Sequence, residues 1–165
     1  MLRESAKYHL VRFSAALFVL VLIVGSVREL YCRTKAATLI QALTIADTED
    51  VFSVVEELAG FRRWANPLLA RTVERSEAES KERLHSSLAL LEVDPNQGEY
   101  LLGRLLHIDS DQFLVVRDAL AGHKETLAET LWDELGNDER DEGERFRAAC
   151  ALAAYSPNAS GGVAR

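Results

Sequence analysis

Apolar residues recur at three- and four-residue spacing along most of the chain, which is the pattern of helices that bury one face. Leu84, Leu88 and Leu91 form one such stripe, and His85 lies outside it. The matching stripe 62 residues later is Phe146, Cys150 and Ala153. The chain has only 9 glycines and 3 prolines, so turn-rich β folds are disfavoured. The pattern predicts an all-α fold.

An internal duplication explains why the stripes recur. Shifting the sequence by 62 residues aligns 38–95 with 100–157 without a gap, and 14 of the 58 pairs are identical. The identities include Leu39/Leu101, Leu43/Leu105, Asp47/Asp109, Val54/Val116, Leu58/Leu120, Ala59/Ala121, Gly60/Gly122, Leu69/Leu131, Glu82/Glu144, Arg83/Arg145, Ala89/Ala151, Leu90/Leu152 and Pro95/Pro157. Self-similarity at this period is typical of helical repeat proteins. It predicts a short α-solenoid of helical hairpins, built from two 62-residue units.

Local signals predict where the helices of each unit begin and end. Asp47-Thr48 and Asp109-Ser110 supply side chains that cap a second helix. Gly60 and Gly122 are expected to end it in a left-handed conformation. A third helix is predicted over 62–75 and 124–135, with Pro67 in or near its first turn. A fourth is predicted over 80–93 and 141–155, and it is closed by a proline in each unit.

The first 30 residues differ from the rest in hydropathy and charge. Residues 13–27 contain no charge and lie between Arg12 and Arg28. We expect a basic segment at 1–12 and a transmembrane or signal-anchor helix at 13–30. This predicts a single-pass membrane protein, and the sequence does not determine its orientation in the membrane. A cleaved signal peptide and a buried soluble helix are the alternatives. The repeat domain is then expected at 34–157 and a flexible tail at 158–165.

Net charge and cysteine content limit the kinds of binding partner and site that the sequence predicts. The net charge is -7, of which the first 35 residues contribute +4 and the remainder -11. An acidic body repels phosphate backbones, so we expect no nucleic-acid binding. The partners predicted are one or more proteins of unknown identity and a membrane contacted through 13–30. Cys32 and Cys150 belong to no cysteine or histidine cluster, so they predict neither a disulfide framework nor a zinc site.

No motif points to an active site, and we predict no catalytic, cofactor-binding or metal-ligating residue and no cofactor. The four histidines, His9, His85, His107 and His123, lack metal-site spacing and suit surface or capping roles. The acidic runs 77–82 and 138–144 lack a calcium-loop pattern and suit solvated loops, although they could dock a basic partner. Trp64 and Trp132 are expected in the core.

Several stretches resemble a known family. They are KERLHSSLALLEVDP (81–95), EYLLGRLL (99–106), VVRDALAGHKETLAETLWDEL (115–135) and ERFRAACALAAYSP (144–157). Together they are similar to the HEAT-like helical segment of large bacterial membrane signalling proteins, which implies that the hairpins of the predicted α-solenoid are HEAT-like. That segment joins a Ser/Thr kinase domain to a WD-repeat or formylglycine-generating-enzyme-like domain. The chain contains no phosphate loop and no kinase motif, so the resemblance implies a spacer or docking module without the flanking activities.

Three functions are compatible with this pattern. The first is a non-catalytic, membrane-anchored scaffold or spacer that binds proteins, with a place in kinase-linked signalling. The second is a HEAT-like lyase-type enzyme, which predicts that side chains such as Glu56, Asp118 or Tyr100 line a deep pocket. The third is a truncated fragment of a larger kinase or formylglycine-generating-enzyme-like protein.

Overall fold

The computed structural model describes the backbone of residues 2–155 and the side chains of 16–155 apart from Glu49. The predicted tail at 158–165 and the side chain of His9 lie outside these described residues. Every regular element in the described part is helical, which confirms the all-α prediction. The helices are α1 (Leu2–Ile45), α2 (Val51–Leu58), α3 (Arg62–Arg75), α4 (Lys81–Leu90), α5 (Gln97–His107), α6 (Ser110–Leu120), α7 (Lys124–Gly136) and α8 (Glu142–Tyr155).

The order of the elements repeats with the offset of the sequence duplication. A 3₁₀ turn at Ala59–Phe61 separates α2 from α3, and one at Ala121–His123 separates α6 from α7. We call the C-terminal part of α1 with α2–α4 the first unit, and α5–α8 the second unit. Duplicated pairs in the shared core are buried in both units: Leu39/Leu101, Leu43/Leu105, Leu58/Leu120, Leu69/Leu131, Ala89/Ala151 and Leu90/Leu152.

The ends of the helices differ from the prediction. Asp47 and Asp109 precede a helical turn with extended backbone, but neither side chain accepts a capping hydrogen bond. The Asp47 carboxylate instead lies 3.5 Å from the Lys81 ammonium. Gly60 and Gly122 lie in the 3₁₀ turns, and no described glycine has a positive φ. The prediction of left-handed helix ends at Gly60 and Gly122 is therefore wrong, because each 3₁₀ turn leads directly into the next helix.

The first helix contradicts the predicted membrane span. No helix in the described part of the chain is long and apolar enough to cross a membrane, so the predicted membrane span at 13–30 and the single-pass localisation are wrong. The charge-free stretch covers about 22 Å as a helix, against roughly 30 Å of hydrocarbon. Its C-terminal side also belongs to the helical body, since the Trp64 indole N–H donates to the Glu29 carboxylate at 2.8 Å.

The fourth helix of each unit stabilises the end of the first. His85 of α4 is fully buried, with its Nδ1 atom 2.8 Å from the Leu43 carbonyl oxygen. In the second unit the duplicated position is Arg147, whose guanidinium donates to the Leu106 carbonyl at 3.2 Å. The last carbonyls of a helix have no partner within it, so a donor from a neighbouring helix satisfies them. This contact joins the first and fourth helices in both units.

Candidate docking face

From Leu84 onward, helix α4 is covered on all sides because it lies between the two units. All residues from Leu84 to Leu91 are buried, including the polar His85, Ser86 and Ser87. The first unit supplies part of this cover, since α1, α2 and α3 all contact α4. The second unit supplies the rest through α5, which also contacts α4. The stripe predicted from the sequence therefore packs inside the molecule.

Three residues of α5 contribute to the contact between the units. Gly98 lies beside Leu91, since a methyl group added at Gly98 would lie in ordinary van der Waals contact, 3.9 Å from the Leu91 Cδ1 atom. The Tyr100 hydroxyl donates to the Ala78 carbonyl at 2.7 Å, and its ring centre lies 4.8 Å from the Arg83 guanidinium carbon. Arg104 donates to the Glu79 carbonyl at 3.3 Å. The interface thus uses a small residue, an aromatic residue and a basic residue.

Helix α8 holds the position of α4 in the second unit but leaves the equivalent face open. Leu84 is 1% exposed, whereas its counterpart Phe146 is 68% exposed. Cys150 is half-buried and Ala153 is exposed, while Leu88 and Leu91 are both buried. The prediction that Phe146, Cys150 and Ala153 form a buried stripe is therefore wrong. It fails because no described helix lies over α8 as α5 lies over α4.

The open side of α8 forms a groove with the neighbouring helix α6. Its volume is about 380 Å³, and its lining includes Phe113, Leu114, Phe146 and Cys150. Leu114 is itself 51% exposed, so two large apolar side chains stand free at this end of the molecule. We call this surface the α6–α8 face. Exposed apolar patches next to polar residues are typical of binding sites for proteins.

Three carboxylates lie near one end of the α6–α8 face. Ser110 and Gly143 belong to the lining of the groove, and the exposed Asp111, Asp141 and Glu142 lie next to them in the chain. Arg147 also lines the groove, but its guanidinium is engaged with the Leu106 carbonyl. The end of the face near Ser110 and Gly143 is therefore acidic. Such an acidic end attracts a basic partner and repels a second acidic one.

The remaining candidate residues do not form a site. Trp132 is 59% exposed, so its predicted place in the core is wrong, whereas Trp64 packs against the core and bonds Glu29. His107 is exposed and lies 3.1 Å from the Glu144 carboxylate. His123 precedes α7 without a side-chain capping bond. Among the residues searched, no group of three histidine, cysteine or acidic side chains could hold a metal.

The side chains named for a lyase-type pocket are not brought together. Tyr100 lines an open cavity of about 520 Å³ with Asn96, Glu99, Arg104 and His107, and neither Glu56 nor Asp118 belongs to its lining. Glu56 is exposed on α2, and Asp118 pairs with Arg117 at 2.6 Å on the surface of α6. Tyr100 itself is occupied by the contact between the two units.

The comparisons with known proteins give no independent identification. No protein-family model, curated protein or solved structure matches the chain. The resemblance to bacterial signalling proteins stays a prediction. The α6–α8 face was not predicted either. The duplication in the sequence shows which positions correspond in the two units, but it does not show which of them a neighbouring helix covers.

Proposed function

We propose that this chain is a non-catalytic HEAT-like repeat module that binds another protein and acts as a scaffold or spacer. The observation that supports this proposal is the contrast between α4 and α8. The same position is covered by protein in the first unit and open in the second, where Phe146 and Leu114 are exposed around a groove. A repeat array of this kind buries its apolar stripes through neighbour interfaces. The uncovered α6–α8 face is therefore suited to binding another protein.

The resemblance adds a biological setting to this proposal. Helical segments similar to this chain join domains in kinase-linked signalling proteins, so we propose a place in a signalling assembly. The two units, stacked as a short solenoid, would hold a bound protein at a fixed distance from whatever α1 contacts.

Site-specific photocrosslinking in cells tests the proposed function. A benzophenone amino acid replaces Leu114 in the full-length chain, and a matched variant carries it at Trp132, which is similarly exposed on α7. We expect a discrete protein adduct from position 114 that disappears when Phe146→Asp is added. Equal adduct patterns from positions 114 and 132, or none from 114, would contradict a specific protein-binding role for this face.

A further inference from the structure

We propose that helix α7 of a second copy of this chain docks in a groove between α1 and α3 through oppositely charged side chains. The groove joins two cavities of about 500 and 290 Å³, which share Leu68 and Arg71 in their linings. We call it the α1–α3 groove, and its charged lining residues are Glu29, Arg33, Arg63, Arg71 and Arg75. The inference goes beyond the proposed function, because the α6–α8 face takes no part in it.

The α1–α3 groove is basic although the chain as a whole is acidic. Its four arginines and one glutamate give it a charge of +3, in a chain of net charge -7. The Glu29 carboxylate is already engaged, since it accepts from the Trp64 indole at 2.8 Å and from Arg33 at 2.9 Å. The lining also contains three exposed arginines that form no ion pair with any described side chain: Arg63, Arg71 and Arg75. Their positive charge is therefore available to a partner.

Helix α7 shows that the fold does not require these arginines. The charged pairs at duplicated positions of α3 and α7 are Arg63/Glu125 and Arg71/Asp133. The buried side of the helix is kept, since Leu69 and its counterpart Leu131 are both fully buried. The same helix is thus built twice with opposite charges on its outer side. Packing of α3 in the first unit therefore does not explain why the groove is basic.

Helix α7 also carries the matching acidic surface. Glu125, Glu129 and Asp133 recur at four-residue spacing, so they share one side of the helix, and all three are exposed. Trp132 lies on the same side and is 59% exposed. We call these four residues the α7 acidic face. Among the side chains that the structure describes, none forms an ion pair with its three carboxylates.

The spacing of charges is the same on the two surfaces. Arg63 and Arg71 are eight residues apart, and so are Glu125 and Asp133, which corresponds to about 12 Å along a helix. Two ion pairs can therefore form at once, whether the two helices run parallel or antiparallel. Charges that match in sign and spacing favour one partner over others, and here both surfaces belong to the same sequence.

The contact also covers apolar surface that is exposed in a single copy. Pro67 and Leu68 form the apolar part of the lining between the arginines. The indole of Trp132 from the second copy would pack against them, as aromatic side chains commonly do in protein interfaces. This contact gives the exposed Trp132 a partner that the second unit does not provide.

The assembly that follows is head-to-tail. The α1–α3 groove and the α7 acidic face are different surfaces, so each copy can bind one neighbour through each of them. Exposed ion pairs are individually weak, so the contact dissociates at the low concentrations of a chromatography column. Crosslinking of full-length chain in cells is therefore the suitable measurement.

A photocrosslinking probe in the middle of the groove tests the contact. A benzophenone amino acid replaces Pro67, which lies midway between Arg63 and Arg71. The residue midway between Glu125 and Asp133 is Glu129, so both helix directions place position 67 beside it. We expect a covalent dimer on a denaturing gel, with the crosslink in the tryptic peptide 125–140.

Matched positions separate this contact from other associations. A probe at Phe52, which is 45% exposed on α2 and lies in neither lining, should not label the peptide 125–140. A probe at Trp132 should give the same covalent dimer as position 67. A partner captured from Leu114 differs from this dimer in mass, so the test of the proposed function stays separate.

Charge reversal shows whether the ion pairs hold the two copies together. One chain carries Arg63→Glu with Arg71→Asp, and a second chain carries Glu125→Arg with Asp133→Arg. Each chain alone then has groove and α7 face of the same sign, so the dimer crosslink from position 67 should fall at least about tenfold. Co-expression of both chains, with the probe in the first, should restore it. Circular dichroism checks that both chains keep the helical fold.

Net charge alone does not produce this result. Each change from Glu or Asp to Arg adds two charges, so the chain with the reversed α7 has a net charge of -3 instead of -7. Its copies repel each other less, yet they are expected to lose the crosslink. A general change in repulsion between copies would have the opposite effect.

Four results would overturn the inference. The first is the absence of a covalent dimer from position 67, and the second is a dimer whose crosslink lies outside 125–140. The third is a crosslink that survives both charge reversals or is not restored by co-expression, because charge pairing would then not hold the contact. The fourth is an adduct of position 67 with a different protein in place of the dimer, which would make that protein the occupant of the groove.

Discussion

His85 connects three parts of the first unit from a fully buried position. Its Nδ1 atom faces the Leu43 carbonyl oxygen at 2.8 Å, and its Nε2 atom faces the Thr48 hydroxyl at 3.3 Å. A carbonyl oxygen can only accept, so the neutral ring carries its proton on Nδ1 and accepts from Thr48 at Nε2. Burial lowers the pKa of His85, because the charged ring would lose its hydration.

The stability of the fold is expected to decrease in mild acid because of His85. The unfolded chain binds a proton at this residue below pH ~6.5, whereas the folded chain keeps it neutral until its lower pKa is reached. The free energy of unfolding should therefore fall as the pH drops from about 6.5 towards the lower pKa of the folded chain. Urea unfolding followed by circular dichroism at a series of pH values measures this slope. His85→Gln should flatten it, and an unchanged slope would show that other groups dominate.

Gly60 and Gly122 offer a way to stabilise the chain. Neither has a positive φ, and a methyl group added at either position meets no atom within 4 Å. Alanine reduces the freedom of the unfolded chain, so Gly60→Ala and Gly122→Ala should each raise the free energy of unfolding by roughly 0.5–1 kcal/mol. Chemical denaturation of the two variants and the double variant checks this value. A loss of stability would mean that these turns require glycine after all.

At the scale of the helices, α4 and α8 should respond differently to the same kind of truncation. Leu84→Ala removes a fully buried side chain and should cost about 2–5 kcal/mol. Phe146→Ala removes the side chain at the duplicated position, but since this is mostly exposed, we expect a change of about 0.5 kcal/mol or less. Equilibrium unfolding in urea measures both. Equal losses would show that Phe146 is covered in solution and would remove the α6–α8 face.

Helix periodicity predicted these elements well but could not say what covers them. The third helices were expected at 62–75 and 124–135, and they lie at Arg62–Arg75 and Lys124–Gly136. The period of a stripe reports which residues share a side of a helix, not whether another helix lies there. Phe146 repeats the pattern of Leu84 in sequence, but its neighbour is missing because the second unit is the last in the described chain. The prediction that Trp132 lies in the core was wrong for a related reason, since the aromatic character of a residue does not show whether its side chain is buried.

At the scale of the whole molecule, α1 has two different environments along one uninterrupted helix. From Glu29 onward it packs on the body, where Cys32, Ala36, Leu39 and Leu43 are buried. Before that point its large apolar side chains from Leu17 to Val24 are all exposed, and so is Val27. Sequence reasoning expected a boundary between a membrane segment and a repeat domain here. Hydropathy reports the composition of a segment and does not show where a helix ends. The helix continues past this boundary because no proline interrupts its backbone here.

The exposed apolar part of α1 predicts how the chain behaves in aqueous buffer. Contiguous apolar surface of this kind favours self-association, so full-length chain should elute as large species in size-exclusion chromatography with light scattering. A variant that begins at Arg28 should elute as a single small species. It keeps the Glu29 contact to Trp64, so its midpoint of urea unfolding should equal that of the full-length chain. If both forms elute alike, the apolar stretch does not drive association. If the shortened form unfolds at lower urea, residues before Arg28 contribute to the body, and α1 acts as part of the fold over more of its length than its buried residues indicate.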